Sequence, residues 1–237
     1  MNRGLAHLPK GTLVETATEA VREHIRANQL KVGDVLPSEG SFAADLGVSR
    51  PVMREAFQSL AALRLIDVGN GRRARVGAID GSVMASSMAH AVSTAQVSLY
   101  DVWDVRRTLE LRTAELAALN RTGEQADAIL AAAHTLAVSR DEFSRTHADT
   151  AFHQTIALAS GNQLFYQIVR SFEQMMQIAV PTAWAARSTE EERAETLALH
   201  EEVARAIADR EPERARTAME SHFARSIGDL FHRAEGA

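Results

Sequence analysis

The chain has 237 residues, of which 46% are hydrophobic and 24% charged. That is the balance of a globular protein with one large domain or two smaller ones, and enough apolar material for a sizeable core. The absence of cysteine excludes disulfides and thiolate metal sites and fits a cytoplasmic setting, and the net charge of −5 argues at first sight against a nucleic-acid partner.

The distribution of charge reverses that impression. Residues 1–77 hold 11 Lys and Arg against 8 Asp and Glu, and within residues 48–76 there are six Arg and two acids, whereas residues 78–237 hold 15 basic against 23 acidic side chains. A locally basic surface governs contact with phosphates more than the total does.

In chain order, the N-terminus (MNRGLAHLPKGTLVETATEA) lacks a signal peptide's apolar run. Residues 12–28 then read as a helix with Leu13, Val14, Ala17, Val21 and Ile25 on one stripe. Gly33 and Pro37 punctuate a turn. Ser38 is placed to cap a short helix over 39–46 with Phe42 and Leu46 inward, and Gly47 suits its end. Ser49 is placed to cap the next helix, which runs to about Leu63. Val52, Met53, Ala56, Phe57, Leu60 and Leu63 cluster on one side of it at about 100° per residue. Arg50, Arg54 and Gln58 fall on roughly the opposite side. Two strands, 65–68 and 73–76, flank Asn70-Gly71, a strong hairpin signal. Arg72, Arg73 and Arg75 load that hairpin.

Residues 81–100 contain no Asp, Glu, Lys or Arg. They are too rich in Ser, His and Gln for a membrane span and read as a linker with a short helix near 81–92. Helices follow near 98–120, 123–139, 142–160, 163–180, 190–209 and 212–232, with breaks at Thr122-Gly123, Ser160-Gly161-Asn162, Pro181 and Glu211-Pro212. The expected fold is mainly α: a winged helix-turn-helix over residues 1–77, a linker over 78–97, and an all-α antiparallel bundle over 98–237.

Arginine on a helix in the major groove can fork onto guanine O6 and N7, and glutamine can pair with adenine. Arginines on a wing meet phosphates or a narrow minor groove. Taken alone, Arg50 and Arg54 fit a solvated charged face better than a DNA contact. The ordered set of cap, turn, amphipathic helix and Arg-rich hairpin points to double-stranded DNA, with Ser49, Arg50, Arg54, Gln58, Arg72, Arg73 and Arg75 as the contacting residues.

A second cluster lies in the C-terminal part. Asp149 and His153 stand one turn apart on a stripe with Phe152 and Ile156; His200 shares an apolar stripe with Leu197, Val203 and Ile207; His222 lies beside Phe223 and Met219. An inward carboxylate needs neutralising. Three imidazoles and a carboxylate from three helices can close around a divalent ion such as Zn, Ni or Mn. Hydrogen-bonded core histidines and a surface Asp–His pair are the alternatives on spacing alone. Arg106 shares a stripe with Leu99, Val102, Trp103 and Leu109, so it points inward and needs an anion: an effector carboxylate, or Glu110 or Glu173.

The stretch LPSEGSFAADLGVSRPVMREAFQSLAALRLIDV resembles the signature of the GntR family of bacterial transcription regulators. The resemblance implies DNA contacts by Arg50 and Arg54. The chain departs from it at Gly40, where the family usually has Arg, and at Arg64, where it often has Gly. Residues 98–232 resemble the FCD ligand-binding domain of the FadR-like subfamily, matching at Arg106, Leu109-Glu110, Asp149, Phe152-His153, Ala159 to Asn162, His200 and His222. In metal-binding members the positions of Asp149, His153, His200 and His222 are the ligands. The resemblance implies a homodimeric, cytoplasmic DNA-binding repressor controlled by a small organic acid. A metal-dependent enzyme is the runner-up, weakened by the absence of HExxH, GxSxG and GxxxxGK[ST] motifs. A purely architectural DNA-binding dimer is the third reading.

Overall fold

The computed structural model describes residues 12–69 and 71–225. Asn70 of the expected turn, residues 1–11 and the stretch 226–232 of the expected last helix lie outside the described residues. The chain divides into two compact units, residues 1–83 and 84–237.

The first unit begins with α1 (Leu13–Ala27), which opens on a reciprocal capping box: the Thr12 hydroxyl accepts from the Glu15 N–H, and the Glu15 carboxylate accepts from the Thr12 N–H at 2.7 Å. Ser38 caps α2 (Glu39–Leu46), and Gly47 ends it at φ 63°, a conformation glycine adopts without a Cβ clash. Ser49 caps α3 (Arg50–Ala62), with Pro51 in the first turn, where no N–H is needed. Strands β1 (Ile66–Gly69) and β2 (Arg72–Val76) pair antiparallel with an irregularity between Asp67 and Gly69. Val21, Leu36, Met53 and Leu60 are fully buried beneath these elements, and Phe42 and Phe57 meet edge to face at 5.8 Å. Leu46 and Leu63, expected inward, are 40% and 44% exposed. Both stand at helix ends, at the edge of the core. After Leu63, Arg64 adopts φ 57°, the left-handed turn that a glycine would make without strain, and its guanidinium pairs with Asp80 at 3.4 Å.

Every regular element of the second unit among its described residues is a helix. Helix α4 (Ser82–Ser93) is followed by α5 (Leu99–Asn120), α6 (Gly123–Val138), α7 (Glu142–Ala159), α8 (Gln163–Ser171), α9 (Glu173–Ala185), α10 (Glu190–Ala208) and α11 (Pro212–Phe223). Side chains of Ser98, Thr122, Asp141, Asn162 and Thr189 cap five of them. α5 packs against α7 and α11, and α6 against α7 and α10. Ala114, Ala117, Ala118, Ala204, Ala206 and Ala215 are fully buried at these crossings, so the backbones approach closely. Phe152, Ile129, Val203, Ile207, Met219 and Phe223 fill the space left.

One expected helix, 163–180, is two. The chain breaks at Phe172, whose N–H bonds back to Val169, and Phe172 buries itself with Met175 and Met176. Pro181 does not end the second helix, which continues to Ala185. The carbonyl left without a helical donor by its missing N–H belongs to Gln177, an exposed residue.

Candidate functional site

α3 presents Arg50, Arg54 and Gln58 to solvent on successive turns, while Met53, Ala56, Phe57 and Leu60 face the core. The Ser49 hydroxyl accepts from the Val52 N–H, which leaves its own proton for a phosphate. The Arg54 guanidinium rests 3.6 Å from Glu39 in an exposed pair. Arg50 lies over Gly40, its Nη2 3.7 Å from where a Cβ would stand. An arginine at residue 40 would contend with it for that space. On the wing, Arg73 Nε donates to the Leu36 carbonyl at 3.1 Å, and Arg75 Nη1 donates to the Gly33 carbonyl at 2.6 Å. These two guanidiniums therefore also clamp the wing to the turn over residues 33–36, a task the sequence did not reveal. Arg72 lies across Gly69.

In the second unit, α7, α10 and α11 bring His153, His200 and His222 together. A nitrogen from each ring lies within 4.8 Å of the other two. Asp149, one turn before His153, places Oδ1 3.3 Å from His200 Nε2. All four are buried, with Arg106 and Glu110 beside them.

The hydrogen bonds around the rings fix where their lone pairs point. His200 Nδ1 donates to the Thr196 carbonyl at 2.8 Å, so its Nε2 faces the Asp149 carboxylate as acceptor against acceptor, and a cation or a second proton must lie between them. His153 Nδ1 donates to Glu110, leaving Nε2 buried without a partner among the described residues. His222 Nδ1 is likewise buried and unpartnered. A carboxylate behind His153 and a carbonyl behind His200 is the arrangement metal-binding histidines use, and a donor set of imidazole nitrogens and one carboxylate fits a divalent ion.

The charged neighbours are held ionised. Burial opposes the charge on Glu110, but Arg106, whose Nε donates to it at 2.5 Å, and His153 outweigh that and lower its pKa. Burial likewise opposes the charge on Asp149, but in the metal-free protein a proton shared with His200, together with the nearby His153, outweighs it and holds the carboxyl below the usual range. Burial, then the nearby His200 and His153, push His222 well below its ordinary 6.5. The folded-state values of all three thus lie below the unfolded ones. Their stabilising contribution is present above the unfolded values and lost as pH falls. Metal-free protein is therefore expected to lose thermal stability below about pH 6.5, where the unfolded chain takes up the proton that folded His222 refuses, and further below about 4.5, where the same holds for Glu110. A Tm measured across pH 8 to 4 checks this, and a flat profile contradicts it.

Arg106 takes Glu110 as its carboxylate partner, while Glu173 accepts instead from Gln154 at 3.1 Å. Arg106 also contacts Met176 and the Phe223 ring. It lines a cavity of about 40 Å³ together with Asp149, the three histidines and Trp184. Glu110 was visible in the sequence as a partner for Arg106, but its bond to His153 was not. Arg145, Arg187 and Thr196 also line this cavity and were missed. Arg145 stands four residues before Asp149, a spacing that could have flagged it. Asn162 accepts from the Leu164 N–H at 2.9 Å as a helix cap, as its place after Gly161 predicts.

A basic winged helix-turn-helix joined in one chain to a helical unit whose cavity is lined by three histidines, Asp149 and Arg106 defines a DNA-binding regulator with its own sensor. The comparisons agree. The family described as "Bacterial regulatory proteins, gntR family" matches residues 13–76, and the FCD domain matches residues 101–225. The chain belongs to the gntR family of bacterial regulatory proteins, in the group carrying an FCD domain, and it is a transcription regulator, not an enzyme. It is 33% identical over 172 residues to the Glc operon transcriptional activator of Escherichia coli strain K12, covering 69% of this chain and 67% of that one. It is 29% identical over 237 residues to the HTH-type transcriptional repressor NanR of Citrobacter rodentium, covering 98% of this chain and 88% of that one. A solved Streptococcus agalactiae GntR structure superposes with a TM-score of 0.62 at 25% identity, over 89% of this chain and 97% of that one. The chain therefore binds DNA and a small-molecule effector. No helix among the described residues is long and apolar enough to cross a membrane.

Proposed function

We propose that this chain is a cytoplasmic, homodimeric repressor of genes for metabolising a small organic acid. It reads a near-palindromic operator with Ser49, Arg50, Arg54 and Gln58, and steadies the duplex with Arg72, Arg73 and Arg75. Asp149, His153, His200 and His222 would hold a divalent ion, Zn, Ni or Mn, and Arg106 orients the effector carboxylate. Bound there, the metal would supply a fixed positive centre for that carboxylate.

The observation that carries the reading is the convergence of three buried imidazole nitrogens, two of them unpartnered, beside a carboxylate. An architectural dimer has no use for such a centre, since unpaired buried polar atoms cost stability. The cavity of about 40 Å³ holds a few waters, which favours a short acid over a fatty acyl chain or a long sugar acid. Repression is preferred because NanR, named a repressor, is matched across both units.

An effector shifts operator affinity only by its preference for one arrangement of the dimer. Selection of operator DNA from random sequence, followed by gel-shift titration of metal-loaded protein with short organic acids, tests this. Release of operator at millimolar acid is expected. Operator affinity indifferent to metal and to every acid would overturn the sensor reading while leaving DNA binding intact.

A further inference from the structure

The cavity beside the histidines has an inner and an outer end. Asp149 and the three histidines line it and are buried. Arg145 of α7, Val180 and Trp184 of α9 and Leu197 of α10 also line it, and these four side chains are only partly buried. The histidine cluster therefore stands at the inner end, and the second group forms the wall between the cavity and solvent. Trp184 is the largest side chain of that wall. Its ring is held from the α7 side, where the Arg145 Cζ lies 4.0 Å from the ring centroid in a cation–π stack. Arg145 is itself fixed: it donates to the Arg140 carbonyl at 3.0 Å, and the Asp141 and Glu142 carboxylates offset part of its charge. Arg145 precedes Asp149 by four residues, so the braced indole faces the histidine cluster across about one helical turn of α7, roughly 6 Å along the axis.

We propose that Trp184 sets the length of the effector, with Arg145 as the positioning residue that keeps the ring in place. The inference rests on the reading of the cavity as an organic-acid sensor and assigns the residue that limits its ligand. An acid whose carboxylate lies at the histidines and Arg106 extends its carbon chain toward the outer wall. Val180 and Leu197 offer that chain an apolar lining, and each methylene buried there raises affinity by roughly 4-fold. The space is about 40 Å³. A chain that outgrows it meets the indole, and forcing the ring off Arg145 carries the cost of an overpacked core.

Calorimetry on metal-loaded full-length protein with acetate, propionate, butyrate, valerate and hexanoate tests this, with metal content read after each titration. In the unaltered protein, affinity is expected to rise by roughly 4-fold per methylene to an optimum and then to fall by about 10-fold or more. Trp184→Ala moves the optimum to longer acids, so that the acid just beyond the original optimum regains that factor, while acetate affinity and metal content stay unchanged. Trp184→Phe, which keeps a smaller ring, moves it less. Arg145→Gln frees the ring without shortening it, and so softens the fall beyond the optimum while leaving acetate affinity as it was. A steady rise through hexanoate in the unaltered protein overturns the inference. So does a Trp184→Ala variant whose optimum is unmoved or which weakens all five acids alike. These outcomes leave the sensor reading standing. If none of the five acids binds, the sensor reading falls and the length limit with it.

Discussion

Arg50→Ala and Arg54→Ala are each expected to weaken specific operator binding by about 1–3 kcal/mol per half-site, roughly 5- to 150-fold. The mechanism is loss of a forked contact to a base edge, so discrimination at that base pair should relax along with affinity. Arg50, Arg54 and Gln58 are exposed in line on α3, and removing them leaves the buried side of that helix untouched. Loss of the exposed Arg54–Glu39 pair contributes little, since such pairs are worth about 0–1 kcal/mol. Arg72→Ala on the wing should behave differently, weakening all sequences alike and lowering the salt slope by about one. Footprinting and salt-dependent titration separate the two patterns. Unchanged operator affinity in both helix variants would remove α3 from the role of reader.

The second large effect is expected from the histidine cluster. The double variant His200→Ala, His222→Ala should purify without stoichiometric metal and lose the effector response, while keeping operator binding. In the unaltered protein, metal at a thousand times its Kd stabilises by about 4 kcal/mol, and that gain should vanish in the variant. Glu110→Gln offers a graded control. Glu110 touches no ligand directly but orients His153 through Nδ1, and losing such a partner lowers metal affinity by about 10- to 100-fold. Metal analysis and thermal shifts with and without added Zn, Ni or Mn read both effects. Identical metal content in the double variant and the parent would remove these residues from metal binding.

The apolar stripe against the Arg50, Arg54 and Gln58 edge could be read from α3 alone, because helical geometry places residues four apart on one face. The caps at Ser38, Ser49 and Asn162 were equally local, since a cap bonds the backbone two or three residues on. Asp149, His153, His200 and His222 could be named from their stripes and from family resemblance. Spacing alone left core histidines open as an alternative.

The remaining features depend on residues distant along the chain. His153 finds Glu110 across 43 positions and Arg106 meets Met176 across 70, and no local rule selects such partners. The break at Phe172, and the helix that runs on through Pro181, follow from where Phe172, Met175 and Met176 bury themselves. Arg145 and Arg187 look like ordinary surface cations until α7 and the end of α9 bring both to Trp184. The sequence therefore determined the buried and exposed faces of helices such as α1 and α3, away from their ends, because those follow from a fixed helical period. Tertiary packing alone decided which buried charges were answered, because desolvation and pairing depend on whatever side chain the fold brings within about 4 Å.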